Sequence, residues 1–113
     1  MEQDTLNILW TNADPGTSIN MVMLYAKNSI LKGWWKNVTV CVWGSTAKYL
    51  ANDAEIQKHF DMAKEIGVRF TGCITCAQNE GVADKLTEMG VELHGWGPDL
   101  TALLKSRAPL LCI

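Results

Sequence analysis

A chain of 113 residues, 48% of them hydrophobic, is long enough to bury one core and too short for two. Ten basic against twelve acidic residues leave a net charge of −2, so neither nucleic acid nor an anionic membrane is expected as a partner. No apolar run approaches a bilayer span and the opening MEQDTLNILW has no signal-peptide pattern, which predicts a cytoplasmic protein whose four cysteines stay reduced.

Thr5–Thr11 (TLNILWT) is predicted as the first buried strand, and Asn12-Ala13-Asp14-Pro15-Gly16 as the turn after it. Thr17 or Ser18 is expected to cap a helix through Lys32. Ile19, Val22, Met23, Ala26 and Ile30 recur along one face of it, and Gly33 supplies the stop. Val38–Trp43 (VTVCVW) is the second predicted strand, closed by Gly44. Cys41 lies inside this apolar run and reads as a small buried hydrophobe rather than a reactive thiol. Ser45–Leu50 can make a short helix. Asn52 or Asp53 can cap a longer one to Ile66, with Ile56, Phe60 and Ala63 inward and His59 at the surface or boundary.

Gly67 delivers the chain to a third strand, in which Val68 and Phe70 alternate with Arg69 and Thr71. Gly72 and Cys73 end it, and Cys76–Glu80 can start a helical turn. Val82–Met89 is predicted as the next helix, stopped by Gly90, and Val91–His94 as a fourth strand. A last helix has Pro98 in its first turn and carries Leu100, Leu103 and Leu104. Pro109–Ile113 is the expected fifth strand, with proline where a strand tolerates it. Strands alternating with crossover-length helices predict a three-layer α/β/α sandwich. Its sheet is mainly parallel and five-stranded, and residues 1–113 form one domain.

In a parallel sheet the carboxyl ends of the strands share one edge, where ligands and chemistry collect. Asn12 and Asp14 follow the first strand, Trp43-Gly44-Ser45 the second, Cys73 the third, and His94-Gly95-Trp96 the fourth. Cys73 is the candidate reactive residue, because backbone N–H groups at a helix start favour a thiolate. His94 is either an accessory that shares a proton or a charge with it, or a strand-end histidine bonded to backbone. Asn12, Trp43, Gly44, Ser45 and Trp96 are candidate pocket-lining residues, although packing explains the two indoles equally well. No GxGxxG and no GxxxxGK[ST] occurs, so nucleotide binding has no support and no cofactor is expected.

Cys73-Ile74-Thr75-Cys76 admits three readings. A CxxC between strand and helix suits thioredoxin-like redox chemistry, but the intervening residues are not Gly-Pro-like. Zinc needs two further ligands, and the chain has no second CxxC or HxxxH pair, so no metal is assigned within one chain. The third reading is a single nucleophilic thiolate, Cys73, that carries sulfur as a persulfide, with Cys76 as modifier or resolving thiol.

At this stretch the sequence resembles the DsrE/DsrF-like (YchN-like) sulfur-relay family. The resemblance extends over nearly the whole order of elements and is most specific at Gly72–Val82. Members carry a cysteine just after the third strand, then a glycine and a small aliphatic residue eight and nine positions on; here these are Cys73, Gly81 and Val82. The NILWTN start, the helix ending in Gly33 and the GVRF lead-in fit the same pattern, whereas Cys76 and the Trp34-Trp35 pair stand outside it. The resemblance implies a flavodoxin-like sandwich and assembly as a homotrimer or homohexamer. It also implies a cysteine that accepts persulfide sulfur from a donor protein and passes it to an acceptor protein. On this basis Cys73 is expected to carry sulfur, with Cys76 and His94 as resolving or accessory groups. The alternative is a non-enzymatic oligomeric binding protein that holds a small ligand or a thiophilic metal through Cys73 and Cys76.

Overall fold

The computed structural model describes residues 4–113; the first three residues of the opening MEQDTLNILW lie outside it. Strands β1 (Thr5–Trp10), β2 (Asn37–Val42), β3 (Arg69–Cys73), β4 (Glu92–His94) and β5 (Leu110–Cys112) form one sheet. Their order is β4-β3-β2-β1-β5 and every neighbouring pair is parallel. The expected α/β architecture with a parallel five-stranded sheet is therefore present.

The connections explain how the helices are shared between the faces. From β1 to β2, β3 and β4 each step moves one strand in the same direction, and right-handed crossovers put all the intervening helices on one face. That face receives α1 (Pro15–Thr17), a π-helix (Ser18–Met23) and α2 (Leu24–Leu31), which run on from one another. It also receives α3 (Thr46–Asn52), α4 (Ala54–Ile66), α5 (Ile74–Asn79) and α6 (Ala83–Met89). The step from β4 to β5 runs back past three strands in the opposite sense, so α7 (Trp96–Ser106) lies on the other face. The third layer is a single helix.

Residue alternation along the strands follows this asymmetry. In β1, Leu6, Ile8 and Trp10 are buried, while Thr5, Asn7 and Leu9 are half-buried. The buried set joins Val38, Val40, Phe70, Val22, Ala26, Phe60 and Ala63 in the core, where the Phe60 and Phe70 rings lie 4.4 Å apart. On the α7 side, Asn7, Leu9, Thr39 and Cys41 face Leu100 and Leu103 across a small cavity. At Gly72 the sheet leaves little room for a side chain: a Cβ would stand 3.0 Å from the Val42 carbonyl oxygen and 3.1 Å from Leu93 Cδ2.

Two helix starts differ from those expected. The first helical run begins at Pro15, not at Thr17 or Ser18, because the Asp14 carboxylate accepts the Thr17 N–H at 2.9 Å and proline at the first position gives up no needed donor. The two Thr17 hydrogen bonds hold the Asp14 carboxyl below the usual aspartate range. Ser18 instead is buried: its Oγ donates to the Asn12 carbonyl at 3.0 Å and accepts the Trp10 indole N–H at 3.1 Å. After β3 the chain turns into α5 at Ile74, two residues ahead of the expected Cys76, and Cys73 itself is the cap. Among the described residues no helix is long and apolar enough to cross a membrane.

Candidate functional site

The site is built where β3 meets α5. Cys73 ends the strand in extended backbone and occupies the N-cap of α5. Its Sγ accepts the Cys76 N–H at 3.4 Å, the bond a serine or aspartate oxygen makes at an ordinary N-cap. Cys73 is only 8% exposed, so the thiol is sheltered rather than open, whereas Cys76 is half-buried. Burial pushes the Cys76 thiol up, and its hydrogen bond to Cys73 adds to this; a backbone N–H of Gly44 pulls the other way. The Cys76 backbone N–H on Cys73 Sγ ties the two cysteines together at the start of α5, beside the turn after β2 that holds Gly44.

That turn is fixed to the end of β1. Thr46 Oγ1 lies 2.8 Å from the Trp10 carbonyl oxygen and accepts the Trp43 N–H at 3.1 Å, and the Trp43 N–H also reaches the Trp10 carbonyl at 3.2 Å. Gly44 turns there with φ +72°, a conformation that favours glycine. Ser45 Oγ is 3.5 Å from the Thr11 carbonyl. Asn12 makes its own turn, with Oδ1 accepting the Asp14 N–H at 2.9 Å. Asn12 and Ser45 are exposed and serve these loops, and Trp43 is half-buried. Trp96 is buried and lines the small cavity under α7, together with Cys41.

His94 pairs with Cys73 in the β3–β4 register, yet its imidazole is engaged elsewhere. Nδ1 lies 3.1 Å from Asp99 Oδ2, Nε2 lies 3.3 Å from Thr71 Oγ1, and the ring stacks on Trp96 at 5.2 Å. Thr71 is the hub of this network. Its hydroxyl donates to the Glu92 carbonyl at 2.7 Å and accepts the Trp96 indole N–H at 2.9 Å. Of the two sequence readings of His94, neither describes this arrangement: the partners are the side chains of Thr71 and Asp99. Sequence reasoning gave no role to Thr71 or Asp99. A buried threonine two residues before the strand-end cysteine was a signal for the first; nothing in the spacing marks the second.

Cys41 stands in register with Thr71, one row behind Cys73 on the same face of the sheet. Burial first, then the nearby charges of Cys73 and Cys76, push its thiol up to about 12, so it is neutral at physiological pH. Cys112, at the β5 edge, is exposed. Among the described residues no group of three or more His, Cys, Asp or Glu side chains is placed to hold a metal ion.

Comparison with solved structures finds a conserved protein of unknown function from Bacteroides thetaiotaomicron. It is 36% identical over an alignment covering 97% of this chain and 95% of the other, with a TM-score of 0.94. A scan against protein-family models and a search of curated proteins each found no match.

Proposed function

We propose that this chain, which belongs to one family with the conserved Bacteroides thetaiotaomicron protein, is a cytoplasmic sulfur carrier of the DsrE/DsrF-like kind that holds persulfide sulfur on Cys73. One observation carries the reading: Cys73 Sγ, at the carboxyl edge of a parallel sheet, receives a backbone N–H from Cys76 at 3.4 Å. A backbone donor aimed at the sulfur fixes its position at the strand end, where a persulfide can be brought to it. In loading, the Cys73 thiolate attacks the outer sulfur of a donor persulfide. The Cys73 S–S bond forms as the donor's S–S bond breaks, and the donor leaves as a thiolate. Delivery repeats the exchange with an acceptor thiolate attacking the outer sulfur. No external oxidant or reductant is consumed in either step. The shelter around Cys73 suits a cargo that free thiols would otherwise discharge.

The carrier works as a homotrimer or homohexamer and meets separate donor and acceptor proteins. The single-helix layer supports assembly: Leu9, Leu100, Leu103 and Leu110 are half-buried in one chain, and Leu104 on α7 is 60% exposed. Binding of a thiophilic metal is the weaker reading, since Cys73 and Cys76 supply two ligands and a second copy would have to complete the set. Intact-mass analysis after incubation with inorganic polysulfide is the test. A gain of one sulfur atom, mapped to Cys73, is expected in Cys76→Ser, where no neighbouring thiol can discharge it. A Cys76→Ser chain that gains none, or gains it on Cys112 alone, is not this carrier.

A further inference from the structure

The CxxC of this chain starts a helix with sulfur in place of oxygen at the cap. At an N-cap the side chain accepts the N–H of the second or third helical residue. Cys73 is the N-cap and Cys76 the third helical residue, and Cys73 Sγ accepts the Cys76 N–H at 3.4 Å. The Cys73 sulfur is thus held against the backbone of the residue that carries the second thiol. Cβ atoms three residues apart on a helix are about 5–6 Å from each other, and a disulfide needs them within about 4.5 Å, so closure asks for a small rotation at the first turn. The two are not equally open: Cys73 is 8% exposed and Cys76 half-buried. A cargo on Cys73 therefore has a second thiol as its immediate neighbour inside the chain.

We propose that Cys73 and Cys76 form a redox-active dithiol that closes to an internal disulfide, with Cys76 as the resolving thiol that discharges a Cys73 persulfide. The discharging role rests on the carrier reading; the couple itself does not. In the discharge, the Cys76 thiolate attacks Cys73 Sγ. The Cys73–Cys76 S–S bond forms, the bond to the outer sulfur breaks, and hydrosulfide leaves with the electron pair. The outer sulfur is reduced and the two cysteines end one bond more oxidised, so the step balances without an external oxidant. A dithiol reductant reopens the disulfide by two exchanges. Burial, and then the Cys73 side chain, hold the Cys76 thiol up, and the Gly44 backbone offsets part of this, so discharge speeds up as pH rises. Cys41 has no part in the couple, because burial keeps it protonated.

The full chain is tested in two arms, each read by intact mass and peptide mapping so that exposed Cys112 is scored separately. In glutathione redox buffers the wild type is expected to lose two hydrogens within the 73–76 peptide, while Cys76→Ser stops at a glutathione adduct on Cys73. Wild-type chains that also stop at adducts overturn the couple, whatever the variant does. With inorganic polysulfide, the wild type is expected to release hydrosulfide and end as the disulfide, and Cys76→Ser to keep the added sulfur about tenfold longer or more. Equal lifetimes overturn the resolving role and leave the carrier standing. Closure in glutathione with no sulfur uptake by either protein sinks the carrier and the discharge together, and upholds the couple.

Discussion

Trp96 donates its indole N–H to Thr71 Oγ1 across 2.9 Å, and both side chains are buried. The bond joins the first residue of α7 to the strand that ends in Cys73. The one helix on the second face is thereby fastened to the candidate site, and the same hydroxyl holds the Glu92 carbonyl of β4 at 2.7 Å.

Replacing that hydroxyl by a methyl of the same shape isolates its worth. Thr71→Val keeps the volume but strands the Trp96 N–H without a partner. A buried donor left unsatisfied costs about 1–3 kcal/mol, and a loss in that range is expected in urea denaturation. Hydrogen exchange should show the first turn of α7 opening more often. A variant as stable as the wild type would mean that apolar packing alone holds the helix.

Gly72 sets a second expectation. A Cβ at this position would stand 3.0 Å from the Val42 carbonyl oxygen and 3.1 Å from Leu93 Cδ2. Gly72→Ala must push apart strands paired on both flanks, at the position before Cys73. Overpacking of this kind costs about 1–3 kcal/mol. Because the shift is adjacent to the N-cap, the alkylation rate of Cys73 in the folded protein is expected to change as well. An unchanged rate and an unchanged denaturation midpoint together would show that the sheet absorbs a methyl there.

These two residues show what the sequence could and could not carry. The strand–helix alternation was legible because period-2 runs such as Val68–Thr71 and the helical spacing of Ile56, Phe60 and Ala63 report burial directly. The structure puts Phe60 and Phe70 in contact, in agreement with both patterns. Cys73 as a strand-end thiol was legible for the same reason. Its role as a cap was not, since an N-cap sulfur bond depends on backbone angles. The unequal layers were not legible either. They follow from β5 pairing with β1 beyond β2, a choice of strand order that hydrophobic periodicity does not encode. The His94–Asp99 contact depends in turn on how α7 leaves β4.

The thiols are expected to separate by access and by pH. In the native protein near neutral pH, exposed Cys112 should alkylate ahead of half-buried Cys76 and sheltered Cys73, and Cys41 only on unfolding. Cys41 also gives the stability curve a direction. Its folded value is raised from 9.0 to about 12, so the folded state binds its proton more tightly than the unfolded state. That contribution is complete below pH 9.0 and is lost as pH rises toward about 12. The slope is at most about 1.4 kcal/mol per pH unit. Denaturation of the wild type and Cys41→Val across this window should give a shallower alkaline loss for the variant. Parallel curves would place Cys41 within reach of water.

Assembly is the remaining expectation, and the unequal layers give it a physical basis beside the family resemblance. One helix covers this face of the sheet, Leu9 and Leu110 on it stay half-buried, and Leu104 on α7 is exposed. Apolar side chains left this way at a sheet face and on its covering helix are removed from water when copies meet. Light scattering at micromolar concentration is expected to give the mass of three or six chains. Leu104→Asp puts a charge on the outer side of α7, away from the Cys73–Cys76 pair, and should lower that mass without slowing alkylation of either thiol. A single-chain mass for the wild type would show that α7 covers its face well enough alone. An unchanged oligomer in Leu104→Asp would move the contact to another surface.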